Sequence, residues 1–448
     1  MVHQPWKYNF LQVVEAIVSF LEREERMHEV VWFDVFSNSQ HDTGTKPFEW
    51  WCGTFMNAVG SMGNVLMIIL PWSNPIALTR AWCIFEVYAT CRTNSRFEVS
   101  MCREENERFL KDIKSDVSKY YKMLATVNSS KAEAWKPEDR DAIFDAIRRE
   151  VGFAEMDSMV LRCMESWMTR DLTRELSRHV TAGDEESVGV WHNALGLFFQ
   201  FGKMLPEAAT HLEAALRAFT RYKGAEHTET LMCMHSLARV YQYQGRLAEA
   251  EQLYQTSLDA RRRTLGAEHQ ATLASTVNLG HLYRNQGRFA EAEPLFLTCF
   301  EARKRTLGDD HADTTWSRMA LACLYADTAR HAEALPLLQD ALDRRTRRLG
   351  SDHRNTLASA HFLGCCLRDL GRPGEAAVVL FDCYEAARRV LGPGHTDSLK
   401  FRASLDGVRD SNAKRPPVEE DREAGDKKAE VAEKEGVTAV SDKVYFPV

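Results

Sequence analysis

The 448-residue sequence predicts a multidomain chain: an α/β domain on a parallel sheet at the N-terminus, then an all-α array of helix pairs. Three observations carry this expectation. A Leu-Gly-x-x-His segment returns at a fixed interval in the second half of the chain. The N-terminal region instead holds short, continuous apolar segments separated by helical stretches. From Ser411 onward the composition becomes almost wholly polar and charged.

In the N-terminal region, EVVWFDVF (Glu29 to Phe36) reads as a buried strand and PFEWWCGTFMNAVGSMG (Pro47 to Gly63) as a helix ended by glycine. NVLMIILPW, from Asn64, reads as a second strand and RFEVSM (Arg96 to Met101) as a third. Strands without polar alternation, separated by helices, imply a parallel sheet covered on both faces. Such sheets bind ligands beyond the carboxyl ends of their strands. Between the second and third strands lies PWSNPIALTRAWCIFE (Pro71 to Glu86). Asn74 followed by Pro75 fits an N-cap with proline at the first helical position, placing Glu86 about three turns along the helix. With Thr79 as the cap, Glu86 lies nearer the strand ends. Trp82 and Glu86 are four apart and share a helix face. Asp34, at the end of the first strand, either touches a ligand or caps the following loop. GSMGN (Gly60 to Asn64) ends a helix rather than starting one, so it is not read as a phosphate loop.

Residues 121–183 read as a helical connector. Pro137 opens one helix and Gly152 follows its end. MVLRCMESWMTRDLTRELSRH continues with apolar residues at helical spacing, and Trp135 and Trp167 are expected in the core. Residues 184–410 form the array. Its register histidines are His227, His269, His311, His353 and His395, 42 residues apart each time. The first helix of each copy carries Leu195, Leu237, Leu279, Leu321 or Leu363, followed by Gly196, Ala238, Gly280, Ala322 or Gly364. The second carries Ala208, Ala250, Ala292, Ala334 or Ala376, with Leu212, Tyr254, Phe296, Leu338 or Leu380 four residues on. Small residues admit close helix approach and large ones fill the space opposite. Gly245, Gly287 and Gly371, each followed by arginine, mark the turn inside a copy. The glycine of Leu-Gly-x-x-His is expected as a left-handed C-cap. Basic runs such as ARRRTLG and DRRTRRLG suit the negative end of a helix dipole. Repeats stacked roughly 10 Å apart cannot bring the register histidines to one zinc ion, so they are read as caps or inter-repeat hydrogen-bonding groups.

This pattern resembles the tetratricopeptide repeat (TPR), in the 42-residue form of kinesin light chains. The resemblance implies five such repeats forming a right-handed superhelical solenoid, with HTDSLKFRASLDGV (from His395) as a closing helix. It implies a groove lined by the first helices and holding a protein or peptide partner. The groove set is Asn193, His235, Arg239, Gln242, Asn278, His281, Arg284, His361 and Arg368. Arg239, Arg284 and Arg368, with the histidines, suit an acidic peptide. Kinesin light chains favour asparagine in the first helix, which only Asn193 and Asn278 match. No sustained heptad run precedes the repeats, which weighs against a true light chain acting as a cargo adaptor.

WFDVFSNSQH and PWSNPIALTRAWCIFE resemble TIR domains, and more closely the divergent TIR-like module that some protists fuse to such repeats. The resemblance implies a flavodoxin-like α/β domain over residues 1–120. The chain starts past the strand that opens TIR domains, so either the sequence is truncated or the sheet lacks that element. Some TIR domains hydrolyse NAD+. In them the glutamate matched by Glu86 is catalytic, stabilising an oxocarbenium-like state at the ribose. Trp82 and Asp34 would then border the nucleotide, NAD+ being the substrate and no cofactor being required. The other readings are that Trp82 and Phe85 pack on the sheet while Glu86 is solvated, or that the module only associates with itself.

A net charge of -7 weighs against nucleic acid as the main partner. No run approaches the roughly 18 apolar residues of a membrane span. Eleven cysteines without C-x-x-C spacing read as reduced thiols without a zinc site. The N-terminal segment lacks the basic start of a signal peptide, so a cytoplasmic protein is expected. Residues 411–448 read as a disordered charged tail, ending in VYFPV. The function expected is a protein-interaction scaffold with a signalling or self-association module. NAD+ hydrolysis is the alternative, and kinesin-light-chain-like cargo adaptation the second.

Overall fold

The computed structural model describes residues 9–27, 48–134 and 137–413. The expected first strand, Asp34, Trp135 and the charged tail from residue 414 lie outside the described residues; residues 411–413, expected at the start of that tail, instead continue the last helix. The chain divides into two compact units, Met1–Gln244 and Gly245–Val448.

The first unit opens with α1 (Phe10–Arg23) and α2 (Phe48–Met62). Strand β1 (Asn64–Ile68) pairs in parallel with β2 (Arg96–Ser100), Asn64 opposite Arg96 and Ile68 opposite Ser100. Both are strands expected from sequence, and among the described residues they form a two-stranded sheet. The crossover is α3 (Ala81–Arg92), buried at Ala81, Cys83, Ile84, Phe85, Val87, Tyr88, Ala89 and Thr90. Neither Asn74 nor Thr79 caps it, which corrects the expected helix start. Ile76–Thr79 forms a 3-10 turn, and Arg80 stands at the N-cap of α3 without a side-chain cap bond. Backbone from the connector takes the cap's place. The Ala81 N–H donates to the Glu133 carbonyl at 2.8 Å, and the Glu133 N–H to the Thr79 carbonyl at 2.9 Å.

Beyond β2 come α4 (Arg103–Ser115), α5 (Ser118–Leu124), α6 (Pro137–Glu150) and α7 (Phe153–Ala182). Phe109 of α4 meets Trp72 edge-on at 5.4 Å and Trp167 of α7 at 5.6 Å, so Trp167 is core as expected. Glu98 of β2 is buried and ion-paired to Arg96 at 2.6 Å and Arg170 of α7 at 3.1 Å. Glu24 joins this network through Arg96 and Arg174. A buried carboxylate needs such partners, because removing it from water costs several kcal/mol.

The unit ends with α8 (Glu185–Phe201), α9 (Leu205–Lys223) and α10 (Thr228–Tyr243). The first repeat is held to α4 and α5: Tyr121 donates to the Phe198 carbonyl at 2.9 Å, and Lys114 lies 4.6 Å from the Trp191 ring.

The second unit contains α11 (Leu247–Leu265), α12 (Gln270–Asn285), α13 (Phe289–Leu307), α14 (Ala312–Asp327), α15 (His331–Leu349), α16 (Arg354–Asp369), α17 (Pro373–Val390) and α18 (Thr396–Ala413). Successive helices from α12 to α18 pack against one another, as in an α-solenoid. The small and large positions read from sequence meet. A Cβ on Gly280 would lie 2.7 Å from the Phe296 ring, and one on Gly364 2.6 Å from Leu380. The register histidines are caps, with Nδ1 of His227, His269, His311, His353 and His395 accepting the N–H two residues on at 3.1 to 3.3 Å.

Candidate functional site

Just before their last turns, α11, α13 and α15 place arginines in equivalent positions, Arg261, Arg303 and Arg345. Each is buried and reaches the next helix. Nη1 of Arg261 donates to the Ala271 carbonyl at 2.9 Å and to Ser275 Oγ at 2.8 Å. Arg303 does the same to Asp313 (3.2 Å) and Ser317 (2.8 Å), and Arg345 to Asn355 (2.9 Å) and Ser359 (2.8 Å). These partners are neutral, and among the described residues no carboxylate pairs with Arg303 or Arg345. Burial pulls the Arg345 guanidinium down to about 10. Arg303 is 4 % exposed, and its buried Nε has no acceptor.

A cavity of about 280 Å³ opens beside two of these groups. Arg303, Arg344, Arg345, Arg348, Trp316, Asn278 and Asn355 line it, with Asp310 and Asp313. The Arg303 guanidinium lies 5.6 Å from the Trp316 ring centre. Arg344 is neutralised by Asp309 at 2.7 Å, Asp340 at 2.8 Å and Asp310. Asp313 accepts from Gln270 at 2.9 Å. Arg348 is exposed and makes no ion pair among the described residues. The lining therefore offers uncompensated guanidinium groups beside an indole, a combination that attracts a carboxylate or another anion.

Of the groove residues expected from sequence, Asn278 lines this cavity, its Nδ2 donating to the Ala274 carbonyl at 2.9 Å. His281 stands between Phe296 and Trp316, its ring 5.0 and 5.2 Å from theirs. Arg284 is ion-paired to Asp327 at 2.6 Å and Arg368 to Asp369 at 2.8 Å. His361 is 5 % exposed, hydrogen-bonded to Ser404 at 2.8 Å and stacked on Phe401. In the first unit, Arg239 donates to Gln200 at 2.9 Å, Gln242 is buried, and Asn193 and His235 are half-buried. Sequence reasoning passed over Arg303 and Arg345 as dipole partners in a basic run. The signal that could have found them is the shared register of Arg261, Arg303 and Arg345, each with a serine fourteen residues on.

In the α/β module, Glu86 is half-buried in the second turn of α3. Trp82 is also half-buried; its Nε1 donates to Asp139 at 3.4 Å, and its ring meets Phe85 edge-on at 6.0 Å. Asp34 lies outside the described residues. Just past the carboxyl ends of β1 and β2, Leu70 and Cys102 pack with Val13 of α1, and Ile17, Ile68 and Ile76 surround them. Ser100 Oγ donates to the Ala16 carbonyl at 2.8 Å, fixing α1 there. Among the described residues, no helix is long and apolar enough to cross a membrane.

Stacked helix pairs with small-to-large packing define a helical-repeat protein. The tetratricopeptide repeat family matches residues 187–263, 236–297, 270–347 and 324–389, and this part of the chain carries tetratricopeptide repeats. The nearly identical TPR-like repeats of a kinesin-light-chain-type protein from Podosopora anserina are 28 % identical in sequence. That likeness covers 44 % of this chain and 94 % of the other, with a TM-score of 0.40. BtubC (BKLC) from P. vanneervenii is 14 % identical over 58 % of this chain and 96 % of its own, with a TM-score of 0.42. The apo form of the quorum sensor NprR from B. thuringiensis is 13 % identical over 69 % and 80 %, with a TM-score of 0.43. No curated protein matches the sequence.

Proposed function

We propose that the chain is a protein-interaction scaffold whose tetratricopeptide repeats take up an acidic segment of a partner protein. The observation that supports this most is the cavity lined by Arg303, Arg345 and Arg348, which have no carboxylate partner among the described residues, beside Trp316. Guanidinium groups bind carboxylates through paired hydrogen bonds, and the indole offers an apolar wall to the aliphatic part of the same segment. Cargo adaptation of the kinesin-light-chain kind is a narrower form of this reading.

Binding of the full-length protein to fluorescent peptides tests it. Glutamate-rich peptides should bind, and the same peptides with glutamine in place of glutamate should not. Arg348→Glu, at an exposed side chain without an ion pair, should weaken binding by about tenfold or more. Equal binding of the glutamine peptides would refute the reading. So would affinity unchanged both in Arg348→Glu and in the double variant Arg239→Glu, Arg284→Glu.

A TIR-like activity of the α/β module is the second reading. It is supported by Trp82 and Glu86, both half-buried and one turn apart on α3, which follows β1 and the 3-10 turn. On that reading Glu86 holds the ribose hydroxyls of NAD+ and stabilises the charge formed as nicotinamide leaves. Nicotinamide release from NAD+ that disappears in Glu86→Ala supports it. Absence of release, or release that survives the substitution, removes Glu86 from that role and leaves self-association as the module's part in the scaffold.

A further inference from the structure

Helices α3 and α7 bring two cysteines from distant parts of the chain together. Cys91 Sγ lies 3.4 Å from Cys163 Sγ, across 72 residues of sequence. Cys91 is exposed and Cys163 half-buried, so a small reagent reaches the pair from solvent. The two sulfurs differ in character. The hydrogen bond between the two sulfurs and the nearby Arg162 draw the Cys91 thiol downward, against the opposing effect of burial. Cys163 is pushed upward by the same hydrogen bond, by burial and by the negative charge on Cys91. Burial drives Cys233, Cys299, Cys323, Cys365, Cys366 and Cys383 upward as well. The pair thus combines a reactive thiolate, solvent access and a second thiol in contact, the arrangement of an attacking cysteine beside a resolving one.

We propose that Cys91 and Cys163 form a redox-modification site that closes to a disulfide between α3 and α7 on meeting a low-molecular-weight disulfide such as oxidised glutathione. The Cys91 thiolate attacks one sulfur of oxidised glutathione, forming a mixed disulfide and expelling one glutathione thiolate. Cys163 then loses its proton to solvent and attacks Cys91 Sγ, forming the protein disulfide and expelling the second glutathione. Two protein thiols are oxidised and one molecule of oxidised glutathione is reduced to two of the thiol. Closing to the disulfide distance of about 2 Å requires the sulfurs to approach by little more than an ångström. The bond would fix the helix that carries Trp82 and Glu86 to the connector, and would close a loop containing β2, α4, α5 and α6.

The test exposes the reduced full-length protein to oxidised glutathione, then blocks remaining thiols and maps peptides by mass spectrometry. A Cys91–Cys163 linked peptide should form before the other cysteines react, and dithiothreitol should reverse it. In Cys163→Ser, glutathione should accumulate on Cys91. In Cys91→Ser, Cys163 should stay unmodified over the same interval. The oxidised wild-type protein should melt several degrees higher than the reduced form, a shift absent in both variants. Failure to form the linked peptide, glutathione on the buried cysteines as fast as on Cys91, or undiminished modification of Cys163 in Cys91→Ser would each overturn the proposal.

Discussion

At the scale of single residues, close approach between helices rests on positions where a side chain is missing. Gly280 faces the Phe296 ring so closely that a Cβ would come within 2.7, 3.0 and 3.1 Å of three of its atoms. Gly280→Ala should therefore cost about 1–3 kcal/mol, the range for overpacking a core, read as a lower urea midpoint at unchanged slope. This pairing was legible in the sequence because each partner recurs in step with the repeat. The buried arginines were less so. A cation near the C-terminus of a helix satisfies the dipole whichever way it points, so Arg303 and the neighbouring Lys304 look alike in sequence. Only the first is buried against the following helix. Glu86 was placed on the right helix, but that helix begins where Glu133, some fifty residues downstream, supplies an acceptor, and no local rule contains that contact.

At the scale of elements, one short motif ends one helix and begins the next. In Leu-Gly-x-x-His, the glycine takes a positive φ, as at Gly266 (89°), and the histidine becomes the N-cap, as at His269. Histidine is an unusual choice, and its unprotonated Nδ1 does what a serine or aspartate oxygen does elsewhere. His269→Ala should lower stability by about 1 kcal/mol, and His269→Asp should keep most of it, both measured by denaturant unfolding. The turn inside each repeat is less uniform. Gly245, Gly287 and Gly371 take positive φ there, while Lys203 and Ala329 adopt the same conformation at 59° and 58° despite their side chains. The glycine signal marked three of these five turns; the other two form because the flanking helices fix the chain ends. The strands β1 and β2 were legible as unbroken apolar runs between helices, as a parallel sheet requires.

At the scale of the whole molecule, several histidines are buried away from the charge they would carry. Burial holds His361 down to about 4, with Lys400 and Arg368 adding to the effect, and holds His192 down to about 4. A histidine depressed in this way binds a proton more readily in the unfolded chain than in the folded one. Its contribution is fully present above the unfolded value of roughly 6.5 and is lost as pH falls toward 4, at up to about 1.4 kcal/mol per pH unit. Asp171 acts in the opposite sense, since burial raises its carboxyl. Comparing the urea midpoint of the wild type with that of His361→Gln between pH 7 and 4 isolates the histidine. The variant should show the shallower decline, and parallel curves would exclude His361 as a source of acid sensitivity. The division into two units also belongs to this scale. The first repeat is legible as a repeat, yet it packs with α4 and α5 through Phe198 and Trp191, aromatic positions whose partners no periodicity reveals.

The joint between repeats has a further consequence. From His269 to His311 the chain passes once through every part of it: glycine stop, histidine start, buried arginine and receiving serine. A second copy of residues 270–311, spliced in after His311, would begin and end at the same kind of junction and leave no cap or arginine contact without its counterpart. Chain length here is thus adjustable in whole steps by in-frame duplication or deletion, and a descendant with one repeat more or fewer would inherit a working joint at every boundary.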